Sequence, residues 1–160
     1  MIDKMIDGFE PVFDENSKIL ILGSFPSVVS RKNGFYYGNE RNRFWQVLAE
    51  IFSEPKPSTI EQKIDLLKRR NVALWDIVDS ADLKGSSDSD IKNFKVVNLK
   101  KVLDFSKISF IICNGKKSYE IFCKHYDLKI KTYCLPSTSP ANVSFSKEKW
   151  FDAFKEILNG

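Results

Sequence analysis

The chain has 160 residues, of which 42% are hydrophobic and 29% are charged, and this predicts a single domain over 1–160 with a full apolar core. Its net charge of +4 suits a polyanionic partner but is also common on ordinary globular domains. The longest apolar runs, ILIL and ISFIIC, are too short to cross a bilayer, and the acidic start MIDKMIDGFE does not resemble a secretory signal. We therefore expect a cytoplasmic protein with no membrane partner.

The first part of the chain predicts one buried strand followed by two helices. The run KILIL at 18–22 is short and apolar, as expected of a strand that is buried on both faces. The segment NRFWQVLAEIF at 42–52 places its apolar side chains on one stripe, which predicts an amphipathic helix. A second helix is predicted at 58–70, where Ser58 precedes Glu61 by the spacing of a capping box.

From residue 71 onward, predicted strands and helices alternate. The elements are a strand at 71–75, a helix at 98–105, a strand at 108–113, a helix at 116–126, a strand at 129–135 and a helix at 146–158. Parallel strands need long crossovers, which helices usually supply. The alternation therefore predicts an α/β fold, a three-layer sandwich with a central four-stranded parallel sheet flanked by helices.

The segments that follow the predicted strands are rich in Gly, Ser, Asn and Pro. They cover 23–40, 76–93, 114–117 and 136–146. Each of them alone could be an ordinary turn, because these residues are the usual turn formers. Ligands of open α/β folds, however, bind outside the carboxyl ends of the strands. Together the four segments therefore predict a binding site at that edge of the sheet.

Several common kinds of catalytic site are not indicated. The only histidine, His125, falls near the end of a predicted helix, which argues against a Ser-His-Asp or Cys-His site. Cys113, Cys123 and Cys134 form no CxxC pair and lie in or beside apolar segments, so we expect no metal site. Neither GxxxxGK[ST] nor GxGxxG occurs, and we expect no cofactor. Hydrolysis through an oxocarbenium-like transition state requires none of these groups.

Six segments together carry a family resemblance. They are LGSFPSVVS, FYYGNERNRFW, ALWDIV, GSSDSDIKN, NGKKSYEIF and PSTSPAN, in this order. From about residue 9 to its end the chain resembles the uracil-DNA glycosylase superfamily, and within it the DNA-deoxyinosine (hypoxanthine-DNA) glycosylase branch. The resemblance implies a central parallel four-stranded sheet and excision of a deaminated base from DNA without metal or cofactor. We expect a monomer whose partner is DNA containing such a base.

The catalytic residue implied by the resemblance is Asn39. Better-known glycosylase branches carry an Asp or Asn just before the Pro of the first loop, and that residue positions the hydrolytic water. Here Phe25 occupies the place, and a phenyl ring cannot orient water. The deoxyinosine branch points instead to Asn39, whose amide oxygen could hold a water without a shifted pKa. From the residues alone, Asn39 could equally cap the nearby helix or form a turn after Gly38.

The resemblance also suggests how the base is bound. Phe25, Tyr36 and Tyr37 could form walls between which an extruded base stacks, because base-acting enzymes must take their target out of the duplex. Their alternative role is packing beneath the loop. Asp76 occupies the place at the end of the second predicted strand where the superfamily has a base-reading residue, although it could also be a capping turn carboxylate.

Residues 136–142, PSTSPAN, match the loop that enters the minor groove in this superfamily. We expect Ser137, Thr138, Ser139, Pro140 and Asn142 to contact DNA, because small polar residues and fixed prolines suit a rigid wedge.

Two further positions complete the expected DNA contacts. We count Ser27 of the first loop among them, together with Lys116, which follows Gly115 at a predicted helix start and could bind a phosphate. A solvated Lys116–Lys117 pair is the alternative. Arg41 and Arg43 could pair with acidic residues or reach DNA, and the sequence does not decide between these roles.

Other functions remain open at this stage. A mismatch-type uracil-DNA glycosylase is one, because uracil and hypoxanthine both present a carbonyl beside a ring N–H. Phe25 also leaves room for a non-catalytic nucleic-acid-binding member of the superfamily. A hydrolase with Ser24 as nucleophile would lack a base to activate that hydroxyl.

Overall fold

The computed structural model describes residues 6–83 and 91–159. Its helices are α1 (Val28–Asn33), α2 (Phe44–Ile51), α3 (Ile60–Arg69), α4 (Lys100–Leu103), α5 (Lys116–His125) and α6 (Lys147–Asn159). Its strands are β1 (Ile6–Asp7), β2 (Ile19–Gly23), β3 (Val72–Asp76), β4 (Val78–Leu83), β5 (Ile91–Val96), β6 (Phe110–Asn114) and β7 (Lys131–Leu135). Within these residues, no helix combines the length and the apolar character that a membrane crossing requires.

In the part of the chain that the structure describes, four strands form a parallel sheet in the order β3-β2-β6-β7. All residues of the central strand β2 and of the edge strand β3 are buried, as expected for parallel strands that are covered on both faces. Helix α3 packs against β3, α5 against β6 and β7, and α6 against β7 and α2. The predicted strands and the predicted fold class, a four-stranded parallel sheet flanked by helices, are confirmed.

Two parts of the predicted loops are ordered elements instead. The segment 76–93 was expected to be a loop, but β4 and β5 lie within or across it and pair antiparallel, and β1 joins them in a second sheet of order β1-β4-β5. Asp and Ser have low strand propensity, and here cross-strand pairing overrides it. The first loop contains α1, which ends at Gly34 with a φ of 80°. The described residues do not include 1–5, 84–90 and 160. The single-domain prediction over 1–160 and the first six residues of the GSSDSDIKN motif therefore lie partly outside them.

The capping box of α3 lies one residue later than predicted. Thr59, not Ser58, is the cap, and its hydroxyl accepts the backbone N–H of Gln62 at 3.1 Å. The side-chain oxygen of Gln62 accepts the backbone N–H groups of Ser58 and Thr59 in return. Because Gln62 satisfies these amides, Glu61 has no capping part.

Candidate active site

The carboxyl ends of the four parallel strands meet at one edge of the sheet, and the segments that follow surround a cavity of about 570 Å³. Almost all residues nominated from the sequence line this cavity: Phe25, Ser27, Tyr36, Tyr37, Asn39, Asp76, Ser137, Thr138, Ser139, Pro140 and Asn142. Lys116 does not. Sites for small ligands typically measure about 300–1,000 Å³, so this base cavity, as we call it, has room for a nucleobase.

Asp76 is the last residue of β3 and lies beside the end of β2. Its side chain is buried, and it pairs in register with Gly23. A Cβ at position 23 would lie 2.4 Å from Asp76 Oδ1 and 3.0 Å from the Tyr37 hydroxyl oxygen. The glycine is therefore required for both polar groups to pack over the end of β2 at the cavity wall.

Tyr37 is held in an unusual backbone conformation by aromatic packing. Its φ is 51°, a left-handed value that a bulky residue rarely adopts. Its ring stacks on Phe44 with the ring centroids 4.2 Å apart. Such strain costs on the order of 1–3 kcal/mol and persists where the surrounding structure fixes it. The half-buried Tyr37 and Phe25 are therefore aromatic surfaces presented to the cavity on a fixed backbone.

Tyr36 is more deeply placed than its neighbours. It is 2% exposed, and its hydroxyl donates to the carbonyl oxygen of Glu10 at 2.7 Å. Burial, and after it the negative charge of Asp76, raises the pKa of Tyr36 far above its usual range, so the hydroxyl stays protonated and remains a donor. Most of the Tyr36 ring packs beneath the first loop, against Phe9 and Phe35. This packing favours a supporting role for Tyr36, behind the residues that face the cavity.

Asn39 lies on the cavity wall in a turn that fixes its side chain. Its Oδ1 accepts the backbone N–H of Arg41 at 3.0 Å, and its carbonyl oxygen accepts the N–H of Asn42 at 2.9 Å. The turn role that the sequence left open is thus present. It does not preclude a second role, because an amide oxygen has two lone pairs and can also accept from a water. The turn holds the oxygen in one orientation, as a positioning contact requires.

Asn114, at the end of β6, joins the third and fourth segments of the edge. Its Nδ2 donates to Thr138 Oγ1 at 3.0 Å, and its Oδ1 accepts the Thr138 N–H at 3.0 Å. Thr138 is consequently 1% exposed. At Gly115, with a φ of 103°, a Cβ would lie 3.1 Å from the Cβ of Ser137, so glycine permits the close approach. Thr138 therefore anchors its loop from within and is poorly placed to touch DNA.

Arg43 holds the same loop from the other side. Its Nη1 donates to the carbonyl oxygens of Ser139 at 3.1 Å and Asn142 at 3.0 Å, and its backbone N–H donates to Thr138 at 3.1 Å. Its guanidinium lies 4.9 Å from the ring centroid of Phe145. Arg43 therefore acts on the loop at 136–145, and the alternatives raised from sequence, an acidic partner or DNA, do not describe these contacts.

Val143 lies in the part of the loop that Arg43 holds. It is 95% exposed, the highest value among the exposed large hydrophobic residues of the described chain. An apolar side chain on a braced loop can act as a wedge that enters between bases. Val143 lies one residue beyond Asn142, where the predicted DNA-contacting segment ends.

The sequence did not point to Asn114 or Val143 as site residues, and it raised Arg43 only as a partner of acidic residues or DNA. Asn114 could have been found from its position directly after a predicted strand, beside the positive-φ glycine. Arg43 and Val143 have no such signal, because Arg43 contacts residues 96 and 99 positions away and Val143 is distinguished only by its exposure.

Residues outside the cavity add less to the site. Lys116 is exposed at the first position of α5, so its proposed contact with a phosphate stays a prediction. His125 is the last residue of α5 and lies near Phe94. Among the described residues, no three His, Cys, Asp or Glu side chains are grouped as metal ligands would be.

Comparison with known proteins gives a consistent family. The sequence profile of the uracil DNA glycosylase superfamily matches residues 10–159. A hypoxanthine DNA glycosylase of Methanosarcina barkeri is 35% identical over 153 residues, covering 92% of this chain and 97% of the relative. A hypoxanthine DNA glycosylase of Methanosarcina acetivorans is 35% identical over 144 residues, covering 89% and 91%.

A solved structure is similar over the same length. The solution NMR structure of a proposed uracil DNA glycosylase from Methanosarcina acetivorans superposes with a TM-score of 0.84 at 33% identity, covering 96% of this chain and 99% of that one. Sequence, fold and the cavity at the carboxyl edge of the sheet agree, and the chain belongs to the uracil DNA glycosylase superfamily.

Proposed function

We propose that this protein is a monofunctional DNA glycosylase that extrudes a deaminated base, foremost hypoxanthine, and hydrolyses its N-glycosidic bond. The observation that carries the proposal is the base cavity, where Asp76 and Asn39 line one space in a chain of this superfamily. The two relatives named hypoxanthine DNA glycosylase support the choice of base. The products are the free base and an abasic site.

Asp76 supplies the means of reading the base. Hypoxanthine carries a hydrogen on N1, whereas adenine presents a lone pair there. A carboxylate facing N1 gains a charge-assisted hydrogen bond from hypoxanthine and meets repulsion from adenine. Burial of Asp76 strengthens this distinction, because an unmet buried polar group costs on the order of 1–3 kcal/mol.

Asn39 supplies the position for water. The oxygen of the water forms the new bond to C1′ of the deoxyribose and the water gives up one proton. The electron pair of the C1′–N9 bond leaves with the base, which takes up one proton. The sugar passes through an oxocarbenium-like state, so the water need not be strongly nucleophilic. Holding that water at the correct place is then the main requirement, and the turn-fixed amide oxygen of Asn39 meets it.

The loop at 136–145 supplies the contact with the duplex. Extrusion of a base costs a few kcal/mol of stacking and pairing, and a side chain inserted in its place offsets part of this. Val143 is the exposed apolar residue suited to that task. Ser137, Ser139 and Asn142 precede it and can donate to phosphates through hydroxyl, amide and backbone N–H groups, whereas Pro140, which has no N–H, stiffens the segment.

Uracil is the second candidate substrate. It presents a ring N–H beside a carbonyl, as hypoxanthine does, so Asp76 would accept both. The structurally similar protein from Methanosarcina acetivorans, described as a proposed uracil DNA glycosylase, also favours it. We further propose that the enzyme acts as a monomer on chromosomal DNA, which in a prokaryotic cell means in the cytoplasm.

The test is an excision assay on matched duplexes. Duplexes that differ in one base (hypoxanthine, uracil, xanthine, adenine or guanine) are incubated with excess enzyme, and abasic sites are revealed by alkaline cleavage. We expect the fastest excision from the hypoxanthine duplex and none from the adenine or guanine duplexes. Equal cleavage before and after alkali would contradict monofunctional action, and a faster rate on uracil would reverse the order of the two candidates.

A further inference from the structure

A second cavity, of about 440 Å³, adjoins the base cavity. The two share Tyr37, Asn39 and Asn42 as a common wall. The opposite wall belongs to the segment between α2 and α3 and to the first turn of α3, including Lys56 and Lys63. Because α3 leads into the start of β3, its amino end lies at the same edge of the sheet as the carboxyl ends of the strands. We call this second space the lysine cavity.

The lysine cavity holds two positive charges near each other. The ammonium group of Lys63 lies 5.4 Å from the ring centroid of Trp45, and Trp45 is itself fixed by donating its indole N–H to the Tyr36 carbonyl oxygen at 3.0 Å. Burial, followed by the charge of Lys56, holds the pKa of Lys63 below its usual range. The two ammonium groups therefore raise each other's free energy, and an anion between them would relieve that repulsion.

No acidic group within the described chain neutralises the pair. Glu40 also lines the cavity, but neither lysine forms a salt bridge with it or with any other described carboxylate. By contrast, Lys101 and Lys131, elsewhere on the surface, are each paired with a glutamate. The lysine cavity thus keeps a net positive charge next to a site proposed for DNA.

We propose that the lysine cavity binds a backbone phosphate of the damaged strand, next to the extruded nucleotide. The inference rests on the proposed function and extends it. When the base occupies the base cavity, its sugar lies at the mouth and the flanking phosphates lie beside that mouth. One of these phosphates would lie in the lysine cavity, on the other side of the wall that Asn39 and Asn42 form. Lysine binds phosphate as a point charge without fixed geometry, which suits an open cavity.

The salt dependence of DNA binding measures this contact. A protein that neutralises Z phosphates on duplex DNA loses affinity with salt at a log-log slope of about −0.9Z. We expect Lys56→Gln and Lys63→Gln each to weaken binding of a hypoxanthine duplex severalfold, and the double variant, which loses the one phosphate contact, to reduce the magnitude of the slope by about one. Lys18→Gln is the matched control, because Lys18 is exposed directly before β2, at the opposite edge of the sheet. It should leave the slope unchanged.

A neutral linkage locates the phosphate. Single phosphates beside hypoxanthine are replaced, one at a time, by methylphosphonate, and binding is measured for the parent, Lys18→Gln and the Lys56→Gln/Lys63→Gln double variant. At one position we expect the methylphosphonate to weaken DNA binding severalfold for the parent and for Lys18→Gln. The double variant should lose little further affinity there, since it already lacks the lysine contact with that phosphate. Losses that add at every position, or an unchanged salt slope, would overturn the proposal. Base release is recorded on the same samples, so a parent that binds DNA without excision would refute the glycosylase and not the phosphate site.

Discussion

Asp76 can distinguish a damaged base from a normal one through the sign of one interaction. We predict that Asp76→Ala lowers the single-turnover rate on hypoxanthine by about 5- to 160-fold, the equivalent of roughly 1–3 kcal/mol for a lost buried polar contact. Asp76→Asn keeps the shape of the side chain and can turn either its oxygen or its NH₂ group toward the base. Its rate on hypoxanthine should therefore fall less, and the difference between its rates on hypoxanthine and adenine should be smaller than in the parent. Rates on hypoxanthine, uracil and adenine duplexes, measured with the three folded proteins, test this. Unchanged rates on both deaminated bases in Asp76→Ala would assign recognition to other groups of the cavity.

Asn39 is expected to act on the rate and not on affinity. We predict that Asn39→Ala lowers single-turnover excision at least about tenfold, because a positioning contact to the attacking water is lost, while DNA binding changes little. Asn16→Ala is the control, since Asn16 is exposed in the turn before β2, at the far edge of the sheet. A rate equal to that of the parent would move the water-positioning role to another polar group of the cavity wall.

At the scale of elements, the loop at 136–145 depends on a residue from another part of the chain. Arg43 donates from Nη1 to two of its carbonyl oxygens while its planar guanidinium lies over the ring of Phe145, a combination that lysine cannot reproduce. We predict that Arg43→Lys and Arg43→Met lower excision from duplex DNA on the order of tenfold, as misplaced groups near a reacting centre do. Single-stranded DNA carrying hypoxanthine needs no wedge, so its excision should fall much less.

Val143→Ala serves as the comparison for Arg43. It removes most of the exposed apolar side chain and leaves the contacts that hold the loop unchanged. We expect the excision rate to fall more on duplex than on single-stranded DNA, as for the Arg43 variants. If the Arg43 variants lose activity equally on duplex and single-stranded DNA, Arg43 supports the fold as a whole and does not position the wedge.

The elements that the sequence predicted well are those whose pattern is local. Runs such as ILIL and FIICN are buried on both faces, so composition alone identifies them as strands. Helix α1 was missed because VVSRKN has only six residues and starts with two β-branched ones. Strand β4, VDSADL, was missed because its pairing with β1 and β5 is decided by distant residues.

In the candidate site, the positions of the residues were predictable from the sequence, but the contacts of their side chains were not. Fold rules place the segments that contain Asn39, Asp76 and residues 136–142 at one edge of the sheet, and the family resemblance singled out these residues within them. The hydrogen-bond partner of each side chain was not predictable. Thr138 was expected to touch DNA and is instead bonded to Asn114, and Tyr36 directs its hydroxyl to a backbone carbonyl. These are long-range contacts that no local pattern encodes.

For the whole molecule, burial of Cys113 predicts a loss of stability in alkali. Burial raises the pKa of the Cys113 thiol from 9.0 to about 12. The unfolded chain therefore releases this proton near pH 9 and the native protein does not, so the contribution is complete below pH 9 and is lost as pH rises toward 12. We predict that Cys113→Ala makes the free energy of unfolding fall less steeply over this range, by up to about 1.4 kcal/mol per pH unit. Urea titrations at pH 8 to 11 measure it, and equal slopes for both proteins would contradict the prediction.

The proposed function requires that the protein release a base from DNA by hydrolysis. Mass spectrometry of both products from a hypoxanthine duplex, treated with the unmodified protein in the presence of chelator, tests this most directly. We predict free hypoxanthine, together with an intact strand that carries one abasic sugar in place of the deoxyinosine. A duplex that is bound but returned with its base in place would contradict the account and leave a nucleic-acid-binding protein built on a glycosylase fold.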